Sequence, residues 1–332
     1  MSRLRGEPMS SYRHLLPVCL GCCLALFAAA AQAQSYPIKP IKVIVPAAAG
    51  GTTDLTARLV GQKMAERLGQ PVIVENRSGG NETIGTDVVA KSAPDGYTLL
   101  IAAPAAIVIL PHLQKLPYSV ERDLEPVSLA AATPLVLVVH PGLAAQSVKD
   151  LIALAKARPG HLSYASAGSG GVQHLAAELL KATMKIDIVH VPYKGAGPVM
   201  QDLIGGQVQM FFAGMPPAMP HVRSGKLRAL AVTTTHRSAA APEVPTMEEA
   251  GVPRFDISNW FAYFVPATTP SGVIGKLNAE INRALKEQDV KEKLAGVGAE
   301  AMGTSPEELA RYMRRESAKF AELIKLSGAK LE

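Results

Sequence analysis

Ile41-Lys-Val-Ile-Val45-Pro46-Ala-Ala-Ala-Gly50-Gly51-Thr-Thr-Asp54 is the stretch from which the fold is read. Ile41 to Val45 is a short, almost wholly apolar run, as expected of a strand buried on both faces. Small residues and a Gly pair then turn the chain. Leu55, Leu59 and Met64 recur near helical spacing, predicting a helix from Thr53 to about Leu68 that Gly69 ends. A strand that passes through a Gly-rich turn into a helix is the repeating unit of α/β proteins.

The unit recurs on either side. Val72 to Val74 reads as a strand, Ser78-Gly79-Gly80-Asn81 as a turn into a helix reaching about Lys91, and Thr98 to Ala102 as a third strand. A second set follows. Strands are expected at Leu135–Val139, Leu162–Ala165, Ile186–Val189, Val208–Phe212 and Lys226–Thr233. Helices are expected at Ser147–Ala157 with Ser147 as N-cap, from the turn Ser166–Gly171 to about Thr183, and at Gly195–Ile204. The last part changes character: one strand, Trp260–Val265, then helices opening at Pro270 and Pro306. Those helices have no sheet of their own to cover, so the chain is expected to return to its first lobe. The predicted class is α/β with two lobes, each a mostly parallel sheet flanked by helices. Lobe 1 is residues 34–136 plus 256–332, lobe 2 is 137–255, and a ligand cleft lies between them.

Composition narrows the function. Apolar residues are 48% and charged residues 19%, enough to bury a core. Aromatics are 5%, with one tryptophan, which argues against a base- or sugar-stacking surface. Arg3, Arg5 and Arg13, the apolar run Leu15–Ala31 and Ala31-Gln32-Ala33 read as a signal peptide, residues 1–33, with Gln34 first in the secreted chain. Cys19, Cys22 and Cys23 all fall in it, so disulfides, thiol catalysis and cysteine metal sites are not expected in the secreted form. The formal charge is +6; the three Arg and one Glu of residues 1–33 account for +2, leaving +4 without a Lys/Arg cluster. No nucleic-acid partner is expected. The eight histidines show no H-x-x-x-H or H-E-x-x-H spacing, so no metal is expected; Gly168-Ser169-Gly170 lacks the later Gly of a dinucleotide motif and no G-K-[ST] P-loop occurs, so no cofactor is expected.

Three turns, Ala47–Asp54, Ser78–Thr83 and Ser166–Gln173, deliver the chain into helix N-termini through Gly and other small residues. Unpaired amides and the positive end of the helix dipole bind carboxylate there without a basic side chain. His174 either turns its ring into the cleft or packs and caps; Asp54 complements the helix dipole; Lys194 either pairs with a carboxylate or faces solvent. Ala167-Gly168-Ser169-Gly170-Gly171 approximates the nucleophile elbow of a serine hydrolase, with Asp202 as acid and His190, His221 or His236 as base. An interrupted lobe does not suit it, because a hydrolase of that kind has one continuous sheet.

Beyond that opening motif, Gly69-Gln-Pro-Val-Ile-Val-Glu-Asn-Arg77, Ala93-Pro-Asp-Gly-Tyr-Thr-Leu-Leu100, Val191-Pro-Tyr-Lys-Gly195, Asp202-Leu-Ile-Gly-Gly-Gln207, Gly225-Lys-Leu-Arg-Ala-Leu-Ala231 and Pro245-Thr-Met-Glu-Glu-Ala-Gly251 occur in order along nearly the whole secreted chain. In these it resembles the Bug receptors of tripartite tricarboxylate transporters. The resemblance implies a type II-like periplasmic binding protein, not an enzyme, expected as a monomer, that closes on a small organic mono- or dicarboxylate and serves membrane permease subunits. A solute sensor reporting to a signalling partner is the alternative role. Ligand contacts carried over from the family fall on Ala47, Ala49, Gly50, Gly51 and Thr52, on Ala167, Gly168, Ser169, Gly170 and Gly171, and on Tyr193 and Lys194. The chain departs from the family where hydroxyl residues and a His usually follow the third strand, here Ala103-Pro104-Ala105-Ala106, and where an Asp is common, here Ala213-Gly214. Both losses point to a ligand with an apolar or aromatic body. Ser78-Gly-Gly-Asn81 replaces the usual Pro-Gly-Ala-Gly-Gly, and no contacts are carried onto it.

Overall fold

The computed structural model describes residues 36–331; the expected signal peptide with its three cysteines and the expected cleavage site after Ala33 lie outside the described residues. Strand β1 is Ile41–Val45 and helix α1 is Thr52–Leu68. Ile41, Val43, Ile44 and Val45 are buried, as a central parallel strand requires, and Gly69 ends α1 in the left-handed conformation. Then come β2 (Val72–Asn76), α2 (Thr83–Ala90) and β3 (Thr98–Ala102), with β1 paired in parallel to both other strands. A π-helical turn at Ala105–Ile109 follows.

The next strand, β4, runs from Leu124 to Val139, far longer than the Leu135–Val139 segment expected. Pro126 and Pro134 hid its first part, since proline removes a ladder donor. The register shifts between Pro126 and Ser128 and again between Leu129 and Ala131, so the ladder is irregular where the sequence reads as unstrandlike.

The second half contains α3 (Val148–Ala157), β5 (Ser163–Ser166), α4 (Val172–Met184), β6 (Val189–Pro192), α5 (Ala196–Ile204), β7 (Met210–Gly214), α6 (Met215–Arg223) and β8 (Arg228–Val232). Ser147 caps α3 by accepting from the Asp150 N–H, as expected. β6 and β7 begin later than Ile186 and Val208. Those two residues are buried in the approach loops, so their hydrophobicity reflects burial and not strand pairing. The chain returns through β9 (Ser258–Pro266), α7 (Ser271–Lys286), α8 (Gln288–Gly296), β10 (Glu300–Ala301) and α9 (Pro306–Ser327). A Ser305–Glu308 capping box starts α9.

The sheet order is β2-β1-β3-β9-β4-β7-β5-β6, with β8 and β10 also on β4. The βα units pair in parallel, while the crossover strands β4 and β9 run antiparallel to their neighbours. Leu124–Pro134 of β4 pairs with β9, and Leu135–Val139 pairs with β7 and β8, so one strand belongs to both lobes. Thr233, fully buried, ties the two crossovers together. Its Oγ1 accepts from the Leu135 N–H at 2.9 Å and donates to the Ile257 carbonyl at 2.5 Å. Helix α9 covers β4 and also touches α4, so the C-terminal helices do not serve the first lobe alone.

Candidate functional site

Helix α1 begins at Gly51, and no side chain closes its first turn. Ala49, Gly50 and Gly51 are exposed, Ala47 and Thr52 half-buried. Beneath them Asp54 is buried and organises the loop. Its Oδ2 accepts the Gly50 N–H at 2.9 Å and Arg58 Nε at 3.0 Å; its Oδ1 accepts Asn76 Nδ2 at 3.0 Å, and that amide also donates to the Ala47 carbonyl. Burial alone would raise the Asp54 carboxyl, but the hydrogen bonds from Arg58, Gly50 and Asn76 outweigh it and hold it below the ordinary carboxylate value. Asp54 therefore fixes the loop that precedes the uncapped helix start, a larger part than answering the dipole.

Helix α4 in the second lobe starts the same way, at Gly171 with no side-chain cap. Ala167, Gly168 and Ser169 are half-buried; Gly170 and Gly171 are buried. His174 lies under the loop, 4% exposed, and its Nδ1 accepts the Gly170 N–H at 3.1 Å. Its ring stacks on His190 at 4.2 Å between centroids, and His190 stacks on Tyr164 at 4.8 Å. Ser166 Oγ lies 2.7 Å from His190 Nε2 and accepts the Gly168 N–H at 3.3 Å. This column supports the loop from below.

Helix α5 starts at Gly195, also without a side-chain cap. Just before it, Tyr193 is half-buried and Lys194 is exposed. The Tyr193 hydroxyl donates to Asp202 at 2.7 Å; burial and that carboxylate push it up to about 12. Ala213 is buried in β7 opposite Val136, and the next helix, α6, opens at Gly214 with no side-chain cap either. The sequence reading missed α6 because Pro216, Pro217 and Pro220 look like breakers. The signal for it was Gly followed by proline in a first turn, where proline has no partner to lose. Gly-started helices thus line the carboxyl ends of β1, β5, β6 and β7.

The two lobes meet at the loop before α4. Asn81 Nδ2 donates to the Ser169 carbonyl at 3.3 Å. Gly170, at φ 77°, lies so close to Leu110, Leu113 and Leu331 that a Cβ would fall 2.6 Å from Leu331. The loop before α2 is one of the three turns expected to open a helix toward an anion, although the family resemblance carries no contacts onto it. There Asn81 (φ 51°) and Glu82 (φ 76°) adopt left-handed backbone, and Glu82 Oε2 accepts the Ala103 N–H at 3.3 Å. Burial pushes the Glu82 carboxyl up to about 7 against the pull of that amide. A hollow of about 940 Å³ elsewhere on the surface is lined by Ile107, His112, Tyr118, Arg122, Met313 and Ser317, and by none of the candidate loop residues.

The polar groups weighed for a hydrolase have other work here. Asp202 takes the Tyr193 hydroxyl, and His190 meets Ser166.

Residues 56–329 match the family described as the tripartite tricarboxylate transporter family receptor. The chain is 41% identical to protein BugT of Bordetella pertussis over 98% of its own length and 100% of that protein. Among solved structures it is similar to R. palustris Rpa4515 with adipate, at 34% identity and a TM-score of 0.83, covering 89% of this chain and 99% of the other. It is also similar to MatC from Rhodopseudomonas palustris with bound malate, at 32% identity and a TM-score of 0.78, covering 87% and 100%.

Proposed function

The chain belongs to the tripartite tricarboxylate transporter receptor family, and from that premise we propose that it captures a small organic carboxylate by closure of its lobes and delivers it to a membrane permease. As a family member it is a solute-binding receptor and not an enzyme. The solved relatives hold adipate and malate, so carboxylate capture is the natural reading here. The observation that carries it is the pair of uncapped, Gly-started helices α1 and α4, one in each lobe, together with the contact of Asn81 and Ser169 between the lobes. Amides of a helix first turn bind a carboxylate with little reorganisation.

In this reading lobe 1 is residues 34–136 plus 256–332 and lobe 2 is 137–255. The ligand meets Ala47, Ala49, Gly50, Gly51 and Thr52 on one side and Ala167, Gly168, Ser169, Gly170, Gly171, Tyr193, Lys194 and Ala213 on the other. Gly50 and Gly170 act mainly by loop shape, since Asp54 and His174 take their amide hydrogens. His174 acts from beneath. The protein works as a periplasmic monomer after cleavage following Ala33.

Residues 34–332, screened by thermal shift against mono- and dicarboxylates, test this. A ligand at about 100 times its Kd adds about 2.7 kcal/mol of stability. Failure of every acid to raise the melting temperature overturns carboxylate capture.

A further inference from the structure

The loop entering α2 holds an acid for which the proposed receptor function has no use. Asn81 and Glu82 occupy left-handed backbone that glycine adopts freely and glutamate does not. The strained position sets the Glu82 carboxylate at the tip of β3, where Oε2 accepts the Ala103 N–H. Carboxyl ends of parallel strands are where ligands of α/β proteins bind. A ligand anion would otherwise use that amide. The neighbouring Asn81 side chain reaches Ser169, so Glu82 lies one residue from the line along which the lobes meet. Among the described residues, no Lys or Arg forms an ion pair with Glu82. Ala103-Pro104-Ala105-Ala106 beside it adds no polar side chain.

We propose that Glu82 recognises a cationic group on the ligand, so that this receptor takes a carboxylate that also bears a protonated amine. The inference rests on the receptor function proposed above. The ligand carboxylate goes to the uncapped helix starts, and its ammonium to Glu82 Oε1, the oxygen the Ala103 amide leaves free. Opposite charges attract more strongly where water is partly excluded, and N⁺–H···O⁻ bonds are the stronger kind. A second ligand carboxylate at the same place would meet like charge, or would need a proton to bind.

Calorimetric titration of residues 34–332 with three straight-chain series of matched length tests this: monocarboxylates, α,ω-dicarboxylates and amino carboxylates carrying the amine at the α or the ω carbon. The best amino carboxylate should bind at least tenfold tighter than the monocarboxylate and the dicarboxylate of its length. Glu82→Gln and Glu82→Gly should each remove that preference. The Gly variant relieves the left-handed strain and so keeps the fold. If some acid binds but amino carboxylates show no advantage, or keep it in both variants, the role of Glu82 is overturned while the receptor function stands. If no acid of any series binds, both fall.

Discussion

At the scale of single residues, the carboxylates of Asp54 and Glu82 do opposite things. Asp54 is held ionised by three partners, so its stabilisation is present above the ordinary carboxylate pKa and lost as pH falls through its lowered value. Asp54→Asn replaces an acceptor by a group that cannot satisfy Gly50, Arg58 and Asn76 together. We expect a loss of about 1–3 kcal/mol in urea unfolding at neutral pH. An unchanged midpoint would mean the loop is not anchored there. Glu82 is the reverse case. Its folded pKa is raised from 4.5 to about 7, so the native state keeps a proton that the unfolded chain has released. Stability falls as pH rises across that window and levels off above it. Glu82→Gln removes the cost of the buried charge, so it should melt higher than the parent near pH 8. Near pH 4, where both side chains are neutral, the two should melt together. A gap of equal size at both pH values would rule out buried charge as its cause.

At the scale of elements, the crossovers decide how the halves are joined. Leu135 in β4 and Ile257 just before β9 are bound to the same Thr233 hydroxyl, so both strands are pinned where they pass between lobes. Thr233→Val fills the space but deletes the hydroxyl, leaving the Leu135 N–H without that acceptor. It should cost about 1–3 kcal/mol, the penalty of a buried unsatisfied group, seen as a lower urea midpoint. Hydrogen exchange should quicken at Leu135 first, and acceleration only at distant helices would contradict the pinning. The uncapped helix starts are the other feature at this scale. Helices α3 and α9 close their own first turns with Ser147 and Ser305, whereas α1, α4, α5 and α6 begin at glycines that offer none.

At the scale of the whole molecule, the loops before α2 and α4 bring the lobes together through a polar contact, Asn81 to Ser169, and a tight apolar contact at Gly170. Gly170→Ala forces a methyl against Leu331 and strains a left-handed position, so it should wedge the lobes apart. In the proposed closing step, closure then costs more and ligand affinity falls with the population of the closed state. Asn81→Ala removes an exposed hydrogen bond worth about 0.5–1.5 kcal/mol, which predicts affinity weakened about 2- to 10-fold. X-ray scattering of the Gly170 variant with ligand should give a larger radius of gyration than the parent. Equal radii together with equal affinity would mean that the loops do not meet in the closing step.

The sequence by itself determined the local units. Continuous apolar runs such as Ile41–Val45, glycine stops such as Gly69 and serine caps such as Ser147 are short-range signals, and the elements formed where they stand. It also marked the Gly-rich loops, because backbone approach to a ligand demands small residues. Only the tertiary structure decided the full length of β4, the Thr233 tie and the face of α9 that reaches α4, since each depends on partners far away in the chain. The same holds within the cleft. That His174 lies beneath its loop and Glu82 at the tip of β3 follows from packing around them, and no local pattern of residues encodes burial that distant segments provide.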